Sequence, residues 1–144
     1  LAARLGSAAV SRVRPANSYL PERASQLIPA GHPGERKTTS WPERDPQSPP
    51  LRPLHLFDPP QPVEVMSPVP DGPPVRFKWR RVTHRVVSAE GPERIEGEWW
   101  RRKGGRVRDY YRVEDEEGRR FWLFRAGHFG ELPPPRWYVH GLFA

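Results

Sequence analysis

The chain has 144 residues, twenty prolines, no cysteine and a net charge of +7. The absence of cysteine excludes disulfides, thiolate metal sites and cysteine nucleophiles, and fits a reducing, cytoplasmic location. No apolar run approaches the ~20 residues of a membrane span and no signal peptide is visible, while the basic balance favours acidic partners, nucleic acid first.

Composition divides the chain. Sixteen of the twenty prolines lie between Pro15 and Pro74, whereas thirteen of sixteen aromatics lie in Val75–Ala144. Residues 75–144 also carry net +6, against +1 for residues 1–74. The expectation is the end of an upstream helical or extended region over 1–30, a Pro-rich linker over 31–74, and a small antiparallel β-domain over 75–144. A core that small is marginal alone, so packing against a partner is expected.

Leu1–Leu5 reads as the last turn of a helix, with Gly6 suited to the left-handed position that ends it. The chain is therefore expected to continue a longer protein. Val10–Val13 reads as a short strand and Asn17–Arg23 as extended. Pro29–Pro74 lacks both helical and strand periodicity and is expected to be largely irregular or polyproline-like. Within it Pro53–Phe57 is an apolar island. It slightly resembles the motifs that dock on the sliding clamp, but Pro53 stands where glutamine is expected, so an apolar turn is the default. Val63–Met66 reads as a short lead-in strand.

From Val75 the residues alternate, with Val75, Phe77 and Trp79 on one side and Arg76, Lys78 and Arg80 on the other. A bend follows at Arg80-Arg81, then an extended run over Val82–Ala89, a loop at Glu90–Arg94 and a short strand over Ile95–Arg102. Arg136–Phe143 forms the last strand. The fold class is mainly β: a curled antiparallel sheet or a partly open barrel at the C-terminus, behind a long, largely irregular Pro-rich segment.

Arg108–Arg125 reads as a hairpin whose turn runs from Asp115 to Gly118. That turn places Asp115 against Arg119, and the pairs follow outward. Val113–Phe121, Tyr111–Leu123 and Asp109–Arg125 share one face. Glu114–Arg120, Arg112–Trp122 and Tyr110–Phe124 share the other. Such pairs are worth roughly 0.2–1 kcal/mol each, and a slip of one residue loses them all. Tyr111, Val113, Phe121, Leu123, Trp137 and Val139 are expected to form the core. The Tyr110/Arg112/Trp122/Phe124 face is either a contact surface or a second buried layer.

Enzyme signatures are absent. The five histidines are scattered without ligand spacing, Ser88 has no nucleophile elbow, and no glycine loop cradles phosphate. Glu114–Glu117 reads as a solvated turn rather than a cation site. No cofactor and no metal is expected. The candidate contacts are Trp99, Trp100, Arg101, Tyr110, Arg112, Arg120, Trp122, Phe124 and Arg125. Rings beside guanidinium groups suit single-stranded nucleic acid, through stacking and phosphate contact, and equally suit protein hot spots.

Five ordered segments carry a resemblance: Ala89–Ile95, Gly97–Arg101, Arg108–Asp115, Gly118–Arg125 and Trp137–Phe143. Together they resemble the C-terminal domain of ImuB-type proteins, Y-family DNA polymerase homologues of the inducible mutagenesis cassette. Leu1–Gly6 and Ser18–Ala24 are similar to the stretch just after the little-finger region in that family. One departure is the bend, where a glycine is expected near Arg81. The resemblance implies a non-catalytic C-terminal interaction domain that recruits partners for error-prone translesion DNA synthesis in the DNA-damage response. The partners it implies are a RecA-like ImuA-type protein, an error-prone C-family DNA polymerase and, mainly through upstream regions, the sliding clamp. A single-stranded nucleic-acid-binding module is the alternative.

Overall fold

The computed structural model describes residues 4, 6, 9–30, 43, 52–97 and 105–144. Backbone contacts divide the chain into two units, Leu1–Pro49 and Pro50–Ala144. In the first, β1 (Ser11–Pro15) and β2 (Ser25–Pro29) pair antiparallel, Val13 opposite Leu27. A single 3-10 turn, Pro21–Arg23, lies between them where extended backbone was expected. The helix end expected at Leu1–Leu5 lies mostly outside the described residues, but Gly6 has φ +88°.

The second unit is a closed antiparallel barrel of six strands in chain order. They are β3 (His55–Met66), β4 (Arg76–Trp79), β5 (Val82–Ile95), β6 (Arg108–Asp115), β7 (Arg120–Ala126) and β8 (Arg136–Leu142). The structure is thus nearly all β, and the barrel is closed rather than partly open. Closure removes the exposed edges that a curled sheet would leave.

The closing strand, β3, ends in Val63–Met66, the expected lead-in strand, but its first eight residues occupy sequence expected to be irregular. Its residues His55–Val63 pair with β8, whereas Glu64–Met66 pair with β4. Each paired residue of β3 therefore meets a neighbour on one side only. Pro59 and Pro60 fall in the gap between Leu56 and Gln61 where the ladder with β8 shifts. A residue without an N–H is tolerated at an edge or an irregularity, which is how so proline-rich a strand closes a barrel. Phe57, in the apolar island, packs against the core.

Strand β5 also runs further than expected, through the anticipated loop at Glu90–Arg94, with a register shift there. Gly91 makes this passage feasible. Its φ is +137°, and a Cβ would lie 2.6 Å from the Tyr110 carbonyl oxygen. Of the strand expected over Ile95–Arg102, Ile95 is the last residue of β5, Glu96 and Gly97 are not in a strand, and residues 98–104 lie outside the described residues.

The β6–β7 hairpin has the register the sequence dictates, from Glu114↔Arg120 through Val113↔Phe121 and Tyr111↔Leu123 to Asp109↔Arg125. Its turn closes with the Gly118 N–H on the Asp115 carbonyl at 2.9 Å, and Gly118 takes φ +76°. Inside the barrel, Phe77, Tyr111, Val113, Phe121, Leu123 and Val139 form the core, with Trp137 half-buried against it. Among the described residues no helix is long and apolar enough to cross a membrane.

Candidate functional site

Two ionic clusters stand at the two ends of the hairpin's inner face. At the turn end, buried Asp115 accepts four hydrogen bonds. Its Oδ1 takes the backbone N–H groups of Glu117 (3.0 Å) and Arg119 (2.9 Å). Its Oδ2 takes Arg119 Nε (2.8 Å) and His84 Nδ1 (2.9 Å). Because a carboxylate only accepts, the His84 Nδ1 carries the proton. Burial pushes the Asp115 carboxyl up, but the His84 bond and the bonds from Arg119 and Glu117 outweigh it and lower the pKa to about 2.

His84 is the partner that sequence reading missed. The two-residue turn pairs Phe77 with His84, so both point inward. The imidazole stacks on Phe77 with centroids 4.7 Å apart and meets Phe121 edge-on at 4.9 Å. Its Nε2 is buried without a hydrogen-bond partner, beside a pocket at the barrel end lined by Trp79, Phe121, Leu142 and Phe143. A register drawn from the Arg80-Arg81 bend was the signal that would have found it.

At the other end, Asp109 is buried and accepts Arg125 Nη2 (2.7 Å) and Arg94 Nε (2.7 Å). Arg125 continues to Asp71 Oδ1 (2.7 Å) and the Pro70 carbonyl (3.0 Å). The loop after β3 is thereby tied to β5, β6 and β7. Burial raises the Asp109 pKa, and the two guanidinium bonds more than offset it, leaving it lowered. Arg125 is 2% exposed. As a clamp inside the fold it is not available as a contact, contrary to expectation.

The other hairpin face is a second buried layer. Tyr110, Trp122 and Phe124 are 1%, 1% and 3% exposed. Tyr110 stacks on Trp122 at 4.2 Å and Phe124 on Tyr138 at 5.0 Å, and the Tyr110 hydroxyl bonds His140 Nδ1 at 2.8 Å. Arg52 lies over the Trp122 ring at 4.9 Å and Arg108 over Phe124 at 4.9 Å. Of the two alternatives for this face, the buried layer is the one found, so these three rings, named as candidate contacts, are shielded from any base or partner. The physical reason is that rings this large recover more by leaving water than by waiting for a ligand.

Two expected contacts remain accessible. Arg112 is half-buried and pairs with Glu90 at 3.0 Å. Arg120 is exposed and donates to the Ala144 carbonyl oxygen. Trp99, Trp100 and Arg101 lie outside the described residues. Among the described residues no group of three or more His, Asp or Glu is placed to hold a metal ion.

A further group of exposed cations lies on β4, β5 and the turn between them. Arg76, Lys78, Arg80, Arg81 and Arg85 are all exposed. Arg80 and Arg81 form the whole two-residue turn between Trp79 and Val82, with φ +48° and +69°. Positive φ at both positions is the requirement of the tight hairpin turn that normally selects Asn-Gly. The glycine expected near Arg81 is thus missing from a place that needs one. Gln61 Oε1 accepts from Trp79 Nε1 (2.9 Å) and Arg80 Nε (3.3 Å), and the Arg80 guanidinium lies 4.5 Å over the Trp79 ring.

No family model matches the chain, and no solved structure does. Two curated relatives are similar to it, both described as Protein ImuB, from two strains of Caulobacter vibrioides. Each is 45% identical over 148 residues, covering 97% of this chain. The chain spans 31% of the length of those relatives. An almost end-to-end match that fills less than a third of the longer protein means that this chain matches one region of ImuB.

Proposed function

We propose that the barrel is a non-catalytic interaction domain of an ImuB-like protein, one that recruits partners for error-prone translesion DNA synthesis after DNA damage. The observation that carries this reading is the 45% identity to Protein ImuB along 97% of the chain. The architecture agrees with it. A small closed barrel with a filled interior is a rigid body that offers its outside to other proteins. The partners proposed are a RecA-like ImuA-type protein and an error-prone C-family polymerase, with the sliding clamp engaged mainly through regions beyond this chain. The setting proposed is the bacterial cytoplasm. Arg112, Arg120 and the Trp99-Trp100-Arg101 segment are the proposed contacts.

Affinity capture tests this directly. The immobilised chain is expected to retain the ImuA-type protein or the C-family polymerase, and a chain lacking residues 52–144 is expected to lose it. Equal capture by both forms contradicts the reading.

A further inference from the structure

The β4–β5 hairpin carries two local penalties that its sequence could have avoided. The first is backbone strain. Arg80 and Arg81 both stand in the left-handed region, which L-residues with a Cβ enter at a cost. Strain of this kind tends to persist where a function holds it. The Gln61 bond and the Trp79 ring give Arg80 a structural anchor. Arg81 is exposed and makes no hydrogen bond or ion pair among the described residues. The second penalty is like-charge pairing. Arg76 lies directly opposite Arg85, so both project from the same outer face, where facing cations repel.

The acids around this face are few. Glu64 is the register partner of Lys78 across β3, and Glu116 reaches Arg85 at 3.3 Å. Among the described residues, the Arg76 side chain donates a hydrogen bond to the Met66 sulfur at 3.6 Å and forms no ion pair. Arg76 and Lys78 are two residues apart on one face of a strand, hence roughly 7 Å apart, close to the repeat of an extended phosphodiester chain. Arg80 and Arg81 stand at the tip of the hairpin, with the Arg80 guanidinium over the Trp79 and Phe57 rings, and Arg85 widens the row. A shallow open groove runs beside it, lined by Glu64, Met66, Arg76, Lys78 and Thr83. A row of anions relieves the repulsion and gives two strained arginines a purpose.

We propose that the β4–β5 hairpin, through Arg76, Lys78, Arg80, Arg81 and Arg85, grips the phosphodiester backbone of a nucleic-acid strand without reading its bases. The site is distinct from the buried ring layer and does not depend on the partner-recruitment reading. Phosphate contact positions a protein and carries no sequence information, so the grip is expected to hold strands of any base sequence.

The test is fluorescence anisotropy of the full chain with labelled oligothymidylate of about 30 nucleotides, alone and as a duplex, at about 50 and 200 mM salt. The informative variant is Arg80→Asn with Arg81→Gly. It removes two cations while installing the residues this turn prefers, so it is expected to be at least as heat-stable as the parent. Its affinity is expected to fall roughly tenfold at the lower salt, and the slope of log affinity against log salt to shrink by roughly 1.4 for a single strand. The control is Arg12→Gln with Arg136→Gln, two exposed cations elsewhere, expected to bind within about twofold of the parent. The relative affinity for strand and duplex shows which form of the backbone fits, and binding to either supports the proposal. It is overturned if the parent binds neither, if the Asn-Gly variant binds as the parent does, or if the control loses as much.

Discussion

Asp115 shows most clearly how one side chain organises its surroundings. It caps its own turn through two backbone N–H groups, holds Arg119 and fixes the tautomer of His84. Its carboxyl titrates at about 2 folded, against 3.8 for the ordinary side chain. The lowered value means that the folded state favours the ionised form, so this stabilisation is complete above pH ~4 and lost as pH falls toward ~2. Asp109 is shifted in the same direction and adds to the same window. Through these two carboxylates the urea denaturation midpoint is expected to drop as pH falls from about 4 toward 2. Asp115→Asn should cost about 3 kcal/mol at neutral pH, because a buried charge cluster loses its anion, and should flatten the acid limb. An unchanged acid limb in that variant contradicts the assignment. Trp122 makes the complementary case. Trp122→Ala is expected to cost about 3–5 kcal/mol of stability, whereas Arg112→Ala, at a half-exposed ion pair, should cost below about 1 kcal/mol. Urea titration of the two variants separates a buried layer from a contact surface.

At the scale of elements, legibility followed local chemistry. The β6–β7 hairpin was readable because its turn residues, its charge signs and its ring pairing all select one register. The face of Tyr111, Val113, Phe121 and Leu123 was recognised as core for the same reason. The sequence left Tyr110, Trp122 and Phe124 between a contact surface and a buried layer, because their cover comes from Arg52 and from Tyr138 and His140 on β8, outside the hairpin. Strand β3 was hidden for a different reason. Prolines argue against a strand bonded on both sides, and β3 is bonded on one side at a time. The β4–β5 turn was readable only as an anomaly, through the glycine it lacks. Arg81→Gly is expected to raise stability by about 1 kcal/mol, since glycine enters the left-handed region without the Cβ penalty. A calorimetric Tm that falls on this substitution contradicts a strained turn.

For the barrel unit as a whole, closure is the feature on which the rest depends. It fills one interior with Phe77, Tyr111, Val113, Phe121, Leu123 and Val139 and seals the ends of the inner face with the Asp115 and Asp109 clusters. It also turns Arg76, Lys78 and Arg85 to the outside, away from Phe77. Composition placed the domain boundary after Pro74, because proline content alone cannot show that β8 needs a partner. The pairing of β3 with β8 supplies that partner. The most direct measurement exploits the absence of native cysteine. Pro62 stands opposite Tyr138 across the closing seam. Pro62→Cys combined with Tyr138→Cys is expected to form an intramolecular disulfide under mild oxidation, in a protein that keeps its cooperative unfolding. Failure to cross-link, or cross-linking only between molecules, contradicts the closed barrel.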